Sequence, residues 1–156
     1  MDLIQLRNKA VKHGIPTAII EKDYVLSIVL VKLTQTSLKN KLVFKGGTAI
    51  KKVYFQNARF SEDLDFNALN VSPSEVTEEL KTILENKEIN GIEFSSLERE
   101  KTSAGLKLSL KFMGLLKHPQ RIRFDFNFRE NLVLLSVEKP VFDDYALSAI
   151  TVNVMQ

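Results

Sequence analysis

Two neighbouring runs decide how this chain reads: Val43-Phe-Lys-Gly-Gly-Thr48, and then Arg59-Phe-Ser-Glu-Asp-Leu-Asp-Phe66. The first is a hydrophobic strand end that enters a glycine turn and leaves it as a helix. Glycine lets the backbone pass close to a bound group, and a helix start leaves its first N–H groups unpaired, so Gly46, Gly47 and Thr48 outline a phosphate cradle. In the second run Asp63 and Asp65 are separated by one apolar residue. Strand side chains alternate, so both carboxylates face one way while Leu64 and Phe66 face the other. Two carboxylates on one face favour a hard divalent cation, Mg2+ or Mn2+, held together with waters and substrate phosphates. Cradle and cation site together point to nucleotide chemistry.

Working outward, the upstream sequence predicts helices. Leu3, Leu6 and Ala10 recur at helical spacing over residues 2–13, and Gly14 can close that helix. Residues 17–36 repeat the pattern with Ile20, Tyr24, Ile28, Val31 and Leu33. Glu21-Lys-Asp-Tyr24, inside that second helix, reads on periodicity as a solvated charged first turn. A strand is expected at residues 41–45 and a helix from Thr48 to Tyr54. Downstream, Ser72-Pro-Ser-Glu75 carries the residue types of a capping box and opens a helix over residues 73–86, with Val76, Leu80, Ile83 and Leu84 on its apolar face.

After Asn90-Gly91 the period changes to two. Residues 92–97 form one expected strand, Leu106 to Phe112 a second and Ile122 to Phe128 a third, with Gly114 and Pro119 in the last connection. The second half is therefore expected to be an antiparallel meander, and residues 149–155 one more strand. These elements make an α+β fold.

Asp125 stands in the middle of an alternating strand, where an acid has poor propensity. One reading is an ion pair with Arg121 or Arg123 on its own face, or with a lysine across the sheet. The other is a third metal ligand, or the base that takes a proton from an attacking hydroxyl. Lys45 and Arg59 flank the cradle and the carboxylates, where either could neutralise a triphosphate, although each type is ordinarily a surface charge. His13 and His118 have no spaced partner and read as structural. Asp143 and Asp144 are adjacent, so in an extended chain they would point to opposite faces; a turn suits them better.

Length and composition bound the rest. A chain of 156 residues, 44% hydrophobic and 26% charged, is the size of one globular domain, taken here as residues 1–156. A net charge of +3 with scattered basic residues permits a nucleic-acid partner without requiring one. With no cysteine, disulfides and thiolate metal sites are excluded. The start Met-Asp-Leu-Ile lacks the basic character of a secretory signal, and the most apolar stretch, residues 24–33, is about half the ~20 residues a membrane span needs. A cytoplasmic protein without a membrane segment is expected.

The set Glu21-Lys-Asp-Tyr24, Phe44-Lys-Gly-Gly-Thr-Ala49, Arg59 to Phe66 and Arg123-Phe-Asp125 resembles, in order and spacing, the AbiEii nucleotidyltransferase family of abortive-infection toxins. That resemblance implies a DNA-polymerase-beta-like nucleotidyltransferase core, a mixed or antiparallel sheet flanked by helices, with magnesium, a nucleoside triphosphate donor, an acceptor such as tRNA and a co-transcribed antitoxin. By the same resemblance Gly46, Gly47 and Thr48 would hold phosphate, Ser61 would assist at the triphosphate, and Asp63 and Asp65 would bind metal. Family members continue into a helical half that supplies a further lysine and an Arg-Asp pair, so these residues are expected to form the metal-binding half. The alternative reading is a non-catalytic domain of this fold that binds an antitoxin or nucleic acid.

Overall fold

The computed structural model describes residues 1–128 and 136–155. Helix α1 (Leu3–His13) starts in a reciprocal capping box between Asp2 and Gln5 and ends on Gly14, whose φ of 65° satisfies the last carbonyls without a Cβ penalty. Helix α2 (Thr17–Thr34) follows, buried over most of its surface. After a short 3-10 turn, strand β1 (Leu42–Lys45) runs into the helical segment that leaves the glycine turn. That segment is one α turn, α3 (Gly46–Ala49), continued by a wider π turn over Ile50–Tyr54.

Strand β2 (Asp63–Ala68) and helix α4 (Pro73–Leu84) complete the first half. Ser72 accepts the Glu75 N–H at 3.1 Å, and Pro73 occupies the first turn, where its missing N–H costs nothing. The remaining strands are β3 (Glu88–Ile89), β4 (Ile92–Glu100), β5 (Leu106–Met113), β6 (Pro119–Asn127), β7 (Ser136–Pro140) and β8 (Thr151–Met155). Asn90 and Gly91 both have positive φ and close the two-residue hairpin between β3 and β4.

Among the described residues the strands form one mixed sheet in the order β3-β4-β5-β6-β2-β1-β8-β7. The meander β4-β5-β6 is antiparallel as expected. The sequence did not reveal the two parallel pairings, β2 with β6 and β1 with β8. They place the first half of the chain in the middle of the sheet, between strands from the second half. Short β3 and β7 also went unread, since neither is long or apolar enough to show a period.

One face of the sheet is apolar and carries α2 and α4. Phe44, Phe66, Phe126 and Phe124 run across it as a ladder of stacked rings, with successive centroids 5.3, 5.5 and 6.0 Å apart. Because β2 alternates, burying Leu64 and Phe66 in this core turns Asp63 and Asp65 to the opposite face. The core therefore fixes which side of the sheet bears the polar groups.

The expected solvated turn at the start of α2 is corrected by the structure. Glu21 and Asp23 are buried, 0% and 2% exposed, because each meets a polar partner from a distant segment. Glu21 accepts the Leu116 N–H of the β5–β6 connection at 3.0 Å and the Gln120 Nε2 at the start of β6 at 2.8 Å. Asp23 meets Lys52 and Tyr145. Burial of these carboxylates is tolerable only because they are hydrogen-bonded or ion-paired.

Candidate nucleotide and metal site

The glycine turn lies directly against β2, and three successive residues make the contact. A Cβ on Gly46 would overlap Asp65 Oδ2, and Gly46 has φ +81°, so glycine is required there on two counts. A Cβ on Gly47 would overlap Ser61 Oγ. Thr48, buried, donates its hydroxyl to the Asp63 carbonyl. Turn and carboxylate strand are thus built as one unit: Gly46 on Asp65, Gly47 on Ser61, Thr48 on Asp63. The Thr48 hydroxyl is occupied by this internal bond, which leaves the backbone N–H groups of Gly46 to Thr48 as the donors at the helix start.

Across the sheet the register gathers charges into a row. Lys45 stands opposite Asp65 on the β1 side, Asp125 stands opposite Asp65 on the β6 side, and Lys107 of β5 stands opposite Asp125. Residues directly opposite in a sheet point to the same face, so Asp65 and Asp125 are neighbours between two lysines. Asp63 pairs in register with Arg123 one step along.

The electrostatics follow from this crowding. Burial first, then the negative charges of Asp125 and Asp63, hold the Asp65 carboxyl above the usual carboxylate range, while Lys45 and Lys107 pull less strongly the other way. The ion pair proposed for Asp125 with its own strand does not form among the described residues. Arg123 instead meets Glu100 of β4 at 3.2 Å.

Asp63, Asp65 and Asp125, in no ion pair among the described residues, offer oxygen donors of the type a hard divalent cation takes, and its charge would relieve their mutual repulsion. Among the described residues no group of three or more His, Asp or Glu side chains is placed to hold a metal ion by itself. Magnesium ordinarily keeps waters and takes one or two carboxylates plus substrate phosphates, so an open set of this kind is compatible with it.

Arg59 is exposed in the wall of an adjoining open cleft, which Lys12, His13, Lys51 and Phe60 also line. His13 stacks edge-on against Phe60, and burial together with Lys9, Lys51 and Lys12 lowers its pKa. Asp143 and Asp144 sit in the turn expected of them, where Asp143 accepts the Leu147 N–H and Asp144 accepts from Gln56. Sequence reasoning allowed Asp125 a lysine across the sheet without naming it, and Lys107 holds that register position; Lys52 was missed, since it carries no pattern signal.

The sheet presents an open polar face with a glycine turn at one strand end and carboxylates on the next strands, and its fold matches that of a nucleotidyltransferase toxin. Residues 28–156 match the family described as nucleotidyl transferase AbiEii toxin, type IV toxin–antitoxin system, and the chain belongs to that family. Among solved structures it is similar to MenT4, a nucleotidyltransferase toxin from Mycobacterium tuberculosis H37Rv, with a TM-score of 0.72 and 25% identity. The match covers 90% of this chain and 49% of MenT4, so the chain spans about half the length of that toxin. No curated protein matches it. Among the described residues no helix is long and apolar enough to cross a membrane.

Proposed function

We propose that this chain is the metal- and donor-binding half of a magnesium-dependent nucleotidyltransferase toxin, which transfers a nucleoside monophosphate from a nucleoside triphosphate to an acceptor hydroxyl. The observation that carries this reading is the seating of Gly46, Gly47 and Thr48 on Asp65, Ser61 and Asp63, with Asp125 opposite Asp65. The backbone N–H groups of the turn hold the triphosphate, and Ser61, Lys45 and Arg59 add donors and positive charge beside it. Asp125 accepts the proton of the acceptor hydroxyl as its oxygen attacks the α-phosphorus. The bond from that phosphorus to the bridging oxygen breaks and pyrophosphate leaves. Bound at Asp63, Asp65 and Asp125, Mg2+ or Mn2+ would neutralise charge on the attacking and leaving oxygens. Positioning and electrostatics do the rest, as in phosphoryl transfer generally. A tRNA acceptor and a co-transcribed antitoxin complete the proposal by likeness to the family.

The test is calorimetric titration of Mg2+ with each nucleoside triphosphate into the chain and into its Asp63→Ala and Asp65→Ala variants. Metal-dependent binding by the parent chain and its loss in both variants is the expected result. Binding that survives both substitutions would rule out this metal site. A folded chain that binds no triphosphate would favour the non-catalytic domain.

A further inference from the structure

Residues Glu21 to Tyr24 stand next to one another in α2, yet each reaches a different part of the molecule. Glu21 holds the β5–β6 connection. Lys22 pairs with Glu62 at 3.3 Å, immediately before Asp63. Tyr24 reaches the Asn90 carbonyl at the β3–β4 turn. Asp23 takes the most secluded partner, Lys52, whose Nζ lies 2.9 Å from Asp23 Oδ1 and donates to Ser27 Oγ at 2.9 Å. The Tyr145 hydroxyl donates to the other oxygen of Asp23, and the Phe142 N–H donates to the Lys52 carbonyl at 2.8 Å. Lys52 is wholly buried.

Lys52 belongs to the helical segment that begins at the glycine turn, in the middle of its π turn. Such turns are frequent beside functional sites. A buried ion pair is a poor source of stability, since apolar replacements of similar volume are often neutral or stabilising. It does supply direction, because a charge in an apolar surround has one place where it is satisfied. Resting on the reading that the turn holds a triphosphate, we propose that the Asp23–Lys52 pair is a positioning device: it fixes the tilt of the segment from Gly46 to Tyr54, and so the placement of the phosphate cradle against Asp63 and Asp65. Gly46 lies about 9 Å ahead of Lys52 at ~1.5 Å per residue. A tilt of about 10° about the Lys52 anchor displaces the turn by ~1.5 Å, and a misplacement of about 1 Å can cost ~100-fold in a reaction of this kind.

The test replaces the charges together, Asp23→Leu with Lys52→Met and Tyr145→Phe, and follows three properties: melting temperature, amide hydrogen exchange at Ile50 and Phe55, whose N–H groups close the turn and its helical segment onto the Gly46 and Ile50 carbonyls, and affinity for Mg2+ with nucleoside triphosphate. The expected result is a melting temperature equal to or above the parent's, exchange at the turn at least tenfold faster, and nucleotide affinity at least tenfold weaker. Unchanged exchange at the turn overturns the proposal whatever the nucleotide data show. If the parent binds no nucleotide but exchange at the turn accelerates in the variant, the positioning role stands and the donor-site reading fails. Should the triple variant not fold, isosteric Asp23→Asn removes the ion pair with the least change in shape and is read by the same exchange measurement.

Discussion

Replacing Gly46 by Ala tests whether the glycine turn and the carboxylate strand are built as one unit. Its φ of +81° costs a residue with a Cβ roughly 1–2 kcal/mol. The new Cβ would also overlap Asp65 Oδ2, forcing that carboxylate off its rotamer at a further cost of about 0.5–1.5 kcal/mol. Together they predict a loss of roughly 1.5–3.5 kcal/mol, a melting point lowered by about 3–14 °C in a chain of this size. Gly14→Ala is the control, since Gly14 has φ +65° but nothing within 4 Å of a built Cβ. It should show the backbone cost alone. Thermal and urea unfolding of Gly46→Ala, Asp65→Ala and the double variant then form a cycle in which the double is less destabilised than the two singles predict, by about 1 kcal/mol. Metal affinity should fall in Gly46→Ala because Asp65 has been turned aside. If Gly46→Ala costs no more than Gly14→Ala and adds simply to Asp65→Ala, the turn does not rest on Asp65 and the construction of the site given above is wrong.

The raised Asp65 carboxyl predicts a pH dependence. The folded chain keeps that proton to higher pH than the unfolded chain, so the contribution to stability is greatest below the unfolded value near ~3.9 and declines as pH rises through the raised folded value. Asp65→Asn should therefore melt higher than the parent at pH 7, with the difference gone below about pH 4; a variant that melts lower at pH 7 would contradict the crowding of Asp63, Asp65 and Asp125. Glu21→Ala strips the acceptor from the Leu116 N–H and the Gln120 amide and should cost about 2–4 kcal/mol in urea unfolding, whereas Glu21→Gln should recover most of it. A loss below ~1 kcal/mol would show that the β5–β6 connection is held by other contacts. Phe126→Ala, in the middle of the ring ladder, should lose about 3–5 kcal/mol; a much smaller loss would mean that the ladder collapses around the gap.

How much of this could be read in advance depended on the range of the interaction involved. The helices α1, α2 and α4 and the strands β4 to β6 were legible to within a few residues, because a period of 3.6 or 2 is written in contiguous residues and the caps at Gly14 and Ser72 are local. The shared face of Asp63 and Asp65 was legible for the same reason: alternation settles it once β2 is a strand. Asp125 was visible only as an acid out of place in a strand. Its partner was not, and Arg123, the local candidate, turned out to serve Glu100.

The sequence by itself therefore determined the longer elements, the glycine turn and which side chains share a face, since each follows from neighbouring residues and the covalent geometry of the chain. Tertiary structure alone decided that β2 lies parallel to β6, which sets Asp125 opposite Asp65, and that Lys107 stands beyond it. It alone decided that Glu21, Asp23 and Lys52 are buried. No local pattern distinguishes a solvated charge from a buried one, because what makes burial tolerable is a partner that the chain supplies from a distant segment.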